Sequence, residues 1–218
     1  MGDYKKKISL AVIRRLPRYH RYLGELLYNG IARISSKELS EKMNITPSQM
    51  RQDLNNFGCF GQQGYGYNVE YLYHEIGKIL NLDVQHSLIL IGVGNIGQAL
   101  MNYISFEKRG FKFIAAFDAN PKIVGMTVRG VKISDIDCLE QFLEQNDVDI
   151  AVLALPEEKS YEIANTIAKH NVKGIWNFSS ADLVGIKNVM VENVHLTDSL
   201  MILSYKIGNQ ITNKEFHY

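Results

Sequence analysis

Ser87-Leu88-Ile89-Leu90-Ile91 runs directly into Gly92-Val93-Gly94-Asn95-Ile96-Gly97, so a short apolar strand meets three glycines spaced G-x-G-x-x-G. A helix is expected next, over residues 98–106, and then a strand over 112–117 that ends at Asp118. The glycine spacing alone is weak; a strand before it and a helix after it give it a mechanical meaning. The first glycine makes the turn, the second lets a pyrophosphate approach the backbone, and the third lets the helix pack on the sheet. An acid at the end of the following strand accepts hydrogen bonds from the adenosine ribose and repels a 2′-phosphate. The expected cofactor set is therefore Gly92, Val93, Gly94, Asn95, Ile96, Gly97 and Asp118, and the ligand NAD(H) rather than NADP(H). A phosphate-free βαβ turn is the competing structural explanation.

Downstream the alternation continues, with a helix over 139–145, a strand over 150–155, a helix over 160–170 and a strand over 174–178. This is the rhythm of a doubly wound parallel sheet. A last helix, over 196–207, carries an apolar stripe of Leu196, Leu200, Leu203 and Ile207 with no strand after it to cover. A partner subunit and its own domain are both open as the place where that stripe is buried.

Upstream, apolar residues at Ile8, Val12, Leu16, Tyr19, Leu23, Leu26 and Leu27 predict an amphipathic helix that Pro17 kinks or restarts. Ser35 or Ser36 caps a second helix running to about Met43, and Thr46-Pro47 opens a third. The third buries Met50, Leu54 and Phe57 and shows Ser48, Gln49, Arg51, Gln52, Asn55 and Asn56. Two short helices around a tight turn, the second rich in such residues, fit a helix-turn-helix, because Arg bonds a guanine edge and Gln or Asn an adenine edge. A generic helical hairpin is the alternative. Residues 57–67 interleave four glycines with aromatics, as in the β-hairpin of a wing, and 69–80 is expected as a linking helix.

Charge follows the same division. Residues 1–60 hold eleven Lys or Arg against five acids, and the rest of the chain thirteen against eighteen. A basic domain joined to an acidic one points to a polyanion at one end only. With 46% hydrophobic residues the 218-residue chain can bury a real core, and no apolar run is long enough to cross a bilayer. Cys59 and Cys138 match no metal-ligand spacing, which suits reduced thiols in a cytoplasmic protein. The six histidines form no constellation with acids, so neither catalytic nor metal-binding residues are expected.

Read in order, Arg14-Arg15-Leu16-Pro17-Arg18-Tyr19, Ile34-Ser35-Ser36-Lys37-Glu38-Leu39, Arg51-Gln52-Asp53-Leu54 with Phe57-Gly58, the glycine loop with Asn102-Tyr103, Ala116-Phe117-Asp118, Gly174-Ile175-Trp176-Asn177-Phe178 and Val191-Glu192-Asn193-Val194 resemble the Rex family of redox-sensing repressors over nearly the whole chain. The resemblance implies an α/β protein with a winged helix-turn-helix domain over 1–82, a Rossmann NAD(H)-binding domain over 83–195 and a C-terminal dimerisation helix and tail over 196–218, that helix being exchanged in a homodimer. It implies repression from an inverted-repeat operator in double-stranded DNA, relieved by NADH. Arg15, Ser48, Gln49, Arg51, Gln52 and the wing residues Gln63, Gly64 and Tyr65 are then the expected DNA contacts. Leu155, Pro156 and Phe178 join the cofactor set, and Arg21, Tyr103 and position 195 form a switch. A neutral reduced nicotinamide enters an apolar pocket without the dehydration that the oxidised cation suffers.

Several positions depart from the family pattern. Gln52 stands where a lysine is usual, Asn55-Asn56 where Ser-Tyr is usual, and Gln63 where a basic wing residue is common. Ser179-Ser180 and Val184-Gly185-Ile186 lack the usual prolines, and His195 replaces an aspartate that pairs with the arginine and tyrosine matched by Arg21 and Tyr103. Beside Arg21 an imidazole is expected to be neutral, its pKa lowered from about 6.5, and the NADH effect on DNA weakened. The competing functions are a repressor that has lost redox sensing, an NAD-dependent dehydrogenase, and a Rossmann module of the CoA-binding type.

Overall fold

Pro17 restarts the first helix rather than kinking it. The computed structural model, which describes residues 8–58, 60–62 and 66–215, places α1 at Leu10–Ile13 and α2 at Leu16–Tyr28. Pro17 lies in the first turn of α2, where an absent N–H leaves no helical bond unmade. Then come β1 (Arg33–Ile34), α3 (Ser36–Met43), α4 (Pro47–Asn55), β2 (Gly61–Gln62), β3 (Gly66–Asn68) and α5 (Val69–Ile79). The Ser35 hydroxyl accepts from the Glu38 amide, and the Glu38 carboxylate accepts from the Ser35 amide, closing a capping box at the start of α3. Asn44 ends α3 in the left-handed conformation at φ 53°, and Thr46 caps α4 through the Gln49 amide at 3.1 Å. The turn of the helix-turn-helix is thus set by the left-handed Asn44 backbone and the Thr46 side-chain cap.

The wing is a three-stranded antiparallel sheet in the order β1-β3-β2. Its strand β1 was not expected, since two residues carry no readable period. Cys59, Gln63, Gly64 and Tyr65 lie outside the described residues. The linking helix expected over residues 69–80 is α5, within the span expected for the first domain. Val69, Leu72 and Ile76 of α5 are fully buried with Leu16, Tyr19 and Leu23 of α2, so α5 belongs to the first core.

The chain divides into two compact units, Met1–Val84 and Gln85–Tyr218. The second runs β4 (His86–Ile91), α6 (Asn95–Asn102), β5 (Phe111–Asp118), β6 (Thr127–Val128), β7 (Val131–Asp135), α7 (Leu139–Gln145), β8 (Ile150–Leu153), α8 (Glu157–Ala168), β9 (Gly174–Asn177), β10 (Met190–Asn193) and α9 (Leu196–Glu215). The strands lie in the order β10-β9-β8-β4-β5-β7-β6, all pairs parallel except the edge pair β6·β7. Successive β4 side chains feed opposite faces. Ile89 and Ile91 pack with Leu139 and Leu143 of α7 and Ala164 and Ile167 of α8, while Leu88 and Leu90 pack with Met101 of α6. Covering both faces is why β4 is a continuous apolar run.

Several boundaries and elements differ from expectation. Helix α6 starts at Asn95, inside the glycine motif, and stops at Asn102 because Tyr103 is extended. The β6–β7 hairpin, unforeseen, turns through Arg129 and Gly130 at φ 49° and 82°. Strand β10 appears where only a motif had been noted, and α9 runs well past residue 207.

Candidate nucleotide crevice and DNA-facing surface

Strand β4, the first of its sheet, lies between β5 and β8, because the chain winds outward through β5 and β7 and then returns to the other side of β4. Ligands of open α/β sheets bind beyond the carboxyl ends of the strands at such a switch point. Here that point is held by glycines. Gly92 has φ 92°, and a Cβ on it would stand 2.4 Å from the Ala154 carbonyl oxygen and 3.1 Å from Leu155 Cδ2. A Cβ on Gly97 would stand 2.1 Å from the Gly92 oxygen. Gly94, which caps α6, is different: a Cβ there meets nothing within 4 Å. Two glycines close the turn, and the third leaves open space in front of a helix N-terminus, where amide groups favour an anion.

Asp118 ends β5 and holds this loop. Its Oδ2 accepts from the Val93 amide at 2.6 Å and its Oδ1 from the Asn120 amide at 2.8 Å. The Gln98 side chain donates to the Val93 carbonyl at 3.0 Å, securing the loop from the helix side. Val93 is buried, while Asn95 and Ile96 are exposed at the opening. Leu155 is half-buried against Gly92, Pro156 is exposed as the cap of α8, and Phe178 is half-buried with its ring 4.5 Å from that of Trp176. The structure therefore gathers the glycine loop, Asp118 and Leu155 at one crevice, with Phe178 at the end of the strand beyond β8, its amide donating to the Leu153 carbonyl at 2.8 Å.

In the first unit α4 presents Ser48, Arg51 and Gln52 outward, all exposed. Among the described residues Arg51 makes only long bonds, to Ser36 Oγ at 3.4 Å and Ser48 Oγ at 3.3 Å. Arg15 and Gln49, also expected at the DNA, are half-buried. Both donate to Asp53, a fully buried carboxylate whose importance the sequence did not reveal.

Of the switch residues, Arg21 is exposed with its guanidinium 5.6 Å from the Tyr22 ring centre, and Tyr103 is exposed with its ring edge-on to Phe106. His195 corrects an expectation. Its Nε2 pairs with Asp182 Oδ1 at 2.8 Å, and that hydrogen bond raises the imidazole pKa above 6.5 instead of lowering it, with Asp198 adding to the field. A raised folded pKa contributes stability that is complete below the unfolded value and fades as pH rises through the folded one. An NMR titration of the His195 imidazole is expected to give a midpoint above 6.5, which Asp182→Asn lowers. A wild-type midpoint at or below 6.5 would refute the pairing. Beneath this pair, buried Asn177 donates to the Ala181 carbonyl at 2.7 Å and to Asn193 Oδ1 at 2.8 Å, fastening the loop after β9 to the end of β10.

Comparison with known proteins bears on both units. Residues 7–55 match the family model described as "Putative DNA-binding protein N-terminus", and residues 83–181 the one described as "CoA binding domain". The chain is 56% identical over 206 residues to the redox-sensing transcriptional repressor Rex of Clostridium botulinum strain Hall, covering 94% of this chain and 98% of that protein. It matches the Rex of Clostridium novyi strain NT at the same identity and coverage. Among solved structures it is similar to RSP in complex with NAD+ and operator DNA (52% identity, TM-score 0.88, covering 95% of this chain and 96% of that one). It is also similar to RSP in complex with NADH (48% identity, TM-score 0.89, covering 96% and 99%).

Proposed function

The chain belongs to the family of redox-sensing transcriptional repressors named Rex, and we propose that it holds operator DNA through its first unit and releases it when NADH enters the crevice at Gly92–Gly97. It is a regulator and not an enzyme, as are the repressors it matches. One observation carries the nucleotide half: Gly94 leaves the N-terminus of α6 open while Gly92 and Gly97 admit no side chain. That cradle fits a pyrophosphate, and Asp118 beside it fits a ribose. NAD+ with operator DNA in one relative's complex, and NADH in another, favour a dinucleotide over the coenzyme A suggested by the family model's name.

Each group then has a task. The α6 amides meet the phosphates, Asp118 accepts from the ribose hydroxyls, and the apolar faces of Leu155 and Phe178 favour a neutral ring over a cationic one. Pro156 adds a wall that donates no hydrogen bond. Arg51, Ser48 and Gln52 meet the DNA, with the wing residues Gln63, Gly64 and Tyr65 alongside. Arg21, Tyr103 and His195, now with Asp182, form the switch set. The acting form is a homodimer whose copies cover the exposed Leu196, Leu200, Leu203 and Ile207 of α9 by exchanging that helix. Two-fold symmetry is what an inverted-repeat operator requires. A cytoplasmic location follows from these partners, and no helix among the described residues is long and apolar enough to cross a membrane.

Titration of an operator duplex with and without 1:1 additions of NADH, NAD+ and NADPH tests this. NADH is expected to weaken operator binding at least about tenfold, within the usual range of coupling between two sites, and NADPH to do far less. Asp118→Ala should weaken NADH by about 10- to 100-fold, since hydrogen bonds to a charged group are worth about 1.5–3 kcal/mol, and should narrow the preference over NADPH. No effect of NADH, or an equal effect of NADPH on the wild type, would overturn the assignment.

A further inference from the structure

We propose that Asp53 is a positioning residue that makes the DNA-binding unit selective: it fixes the roll of α4 and at the same time sequesters Arg15 from the DNA. The inference rests on the operator-binding function proposed above.

Asp53 is 0% exposed, yet every acceptor site of its carboxylate is filled. Oδ2 accepts from Arg15 Nε at 2.6 Å and the Tyr19 hydroxyl at 3.0 Å. Oδ1 accepts from Arg15 Nη2 at 2.7 Å and Gln49 Nε2 at 2.8 Å. Burial by itself would raise the carboxyl pKa, but the Arg15, Gln49 and Tyr19 donors outweigh it and hold the group below the ordinary carboxylate range. The Tyr19 phenol is pushed up by burial and by the Asp53 charge, so it stays a donor.

The geometry gives this cluster its consequence. Arg15 caps α2 and Tyr19 lies within it, while Gln49 and Asp53 are one turn apart on α4. At about 100° per residue, Arg51 lies on the face of α4 opposite to Gln49 and Asp53, with Asn55 and Ser48 toward that side and Gln52 at its edge. A bidentate Arg–carboxylate pair defines orientation as well as distance. Fastening one face of α4 to α2 therefore aims the other. The second consequence concerns charge. Arg15 is 26% exposed and neutralised by Asp53. Without that carboxylate it becomes a free cation beside the recognition helix, able to attract phosphate of any sequence.

The test uses the full-length chain and a duplex that the wild type selects from a randomised inverted-repeat library, beside a scrambled duplex of equal length. Asp53→Asn keeps the shape and removes the charge. Expected are at least a tenfold loss of affinity for the selected duplex, an equal or higher affinity for the scrambled one, and a salt dependence steeper by about one phosphate contact. NADH affinity, followed through the fluorescence of Trp176, should not change, which shows the second unit intact. A merely structural role would lower both DNA affinities by one factor, and that result overturns the proposal, as does no change in either. Arg15→Met with Asp53→Leu guards against misfolding, because an apolar pair of similar volume is well tolerated in place of a buried ion pair. That double variant should lose selectivity with no gain on scrambled DNA; wild-type selectivity in it also overturns the proposal. If the wild type selects no duplex, operator binding itself fails and this inference with it.

Discussion

Gly94→Val is expected to fold normally and to be blind to NADH. Gly94 lies at φ −71° and ψ −164°, an extended conformation open to any residue, and a Cβ there meets no atom within 4 Å. The stability loss should be about 1 kcal/mol, that of a poor helix cap. The valine methyls would fill the space before the α6 amides and hold a pyrophosphate off them. NADH affinity is expected to fall at least about 100-fold, the loss of several charge-assisted hydrogen bonds of about 1.5–3 kcal/mol each. Operator binding without nucleotide should be unchanged, and it should persist at NADH concentrations that strip the wild type from DNA. Gly97→Val serves as the contrast, since its Cβ would stand 2.1 Å from the Gly92 carbonyl oxygen and the second unit should not fold. Calorimetry of NADH binding and a thermal melt separate the two; wild-type NADH affinity in Gly94→Val would place the nucleotide elsewhere.

Arg51→Ala should be the most damaging single truncation on the DNA side. The Arg51 side chain is exposed and, among the described residues, held only by long bonds to two serine hydroxyls, so its removal should leave the fold alone. A guanidinium fork meeting a base edge is worth about 1–3 kcal/mol, so operator affinity is expected to fall by about 10- to 100-fold. Lys159 of α8, paired with Glu162 at 2.9 Å, is the control, and Lys159→Ala should have no effect on the DNA. Fluorescence anisotropy with a labelled operator measures both. Equal losses would mean that charge in general, and not α4, governs binding.

What was legible in the sequence was local. The glycine loop announced itself because a strand, three glycines and a helix are consecutive, and Asp118 because it ends the next strand. Thr46-Pro47 gave the start of α4 for the same reason. What was hidden depends on contacts across the chain. Arg15 lies 38 residues from Asp53, so nothing in either neighbourhood shows that they pair. A polar residue on a recognition helix looks like a DNA contact until it is seen to bond within the fold, as Gln49 does to Asp53. The direction of the His195 shift was reversed because Asp182, 13 residues away in an irregular loop, supplies the nearest charge. Strands β1, β6 and β10, of two to four residues, are too short to show a period of two. That the linking helix α5 also supplies core residues was hidden because its partner α2 lies far back in the chain.

The β6–β7 hairpin has a bearing on how the protein behaves at high concentration. A parallel sheet exposes unpaired amides and carbonyls along its outermost strand, a template on which another chain can add a strand. Here the outermost strand on that side is β6, Thr127–Val128, only two residues long. It ends in a turn at positive φ, and Arg129 of that turn is tied to Glu107 at 3.1 Å. An incoming strand would find room for scarcely one pair of hydrogen bonds before meeting a bend and a charged side chain. The hairpin thus acts as a stop against strand-by-strand aggregation from that edge of the sheet.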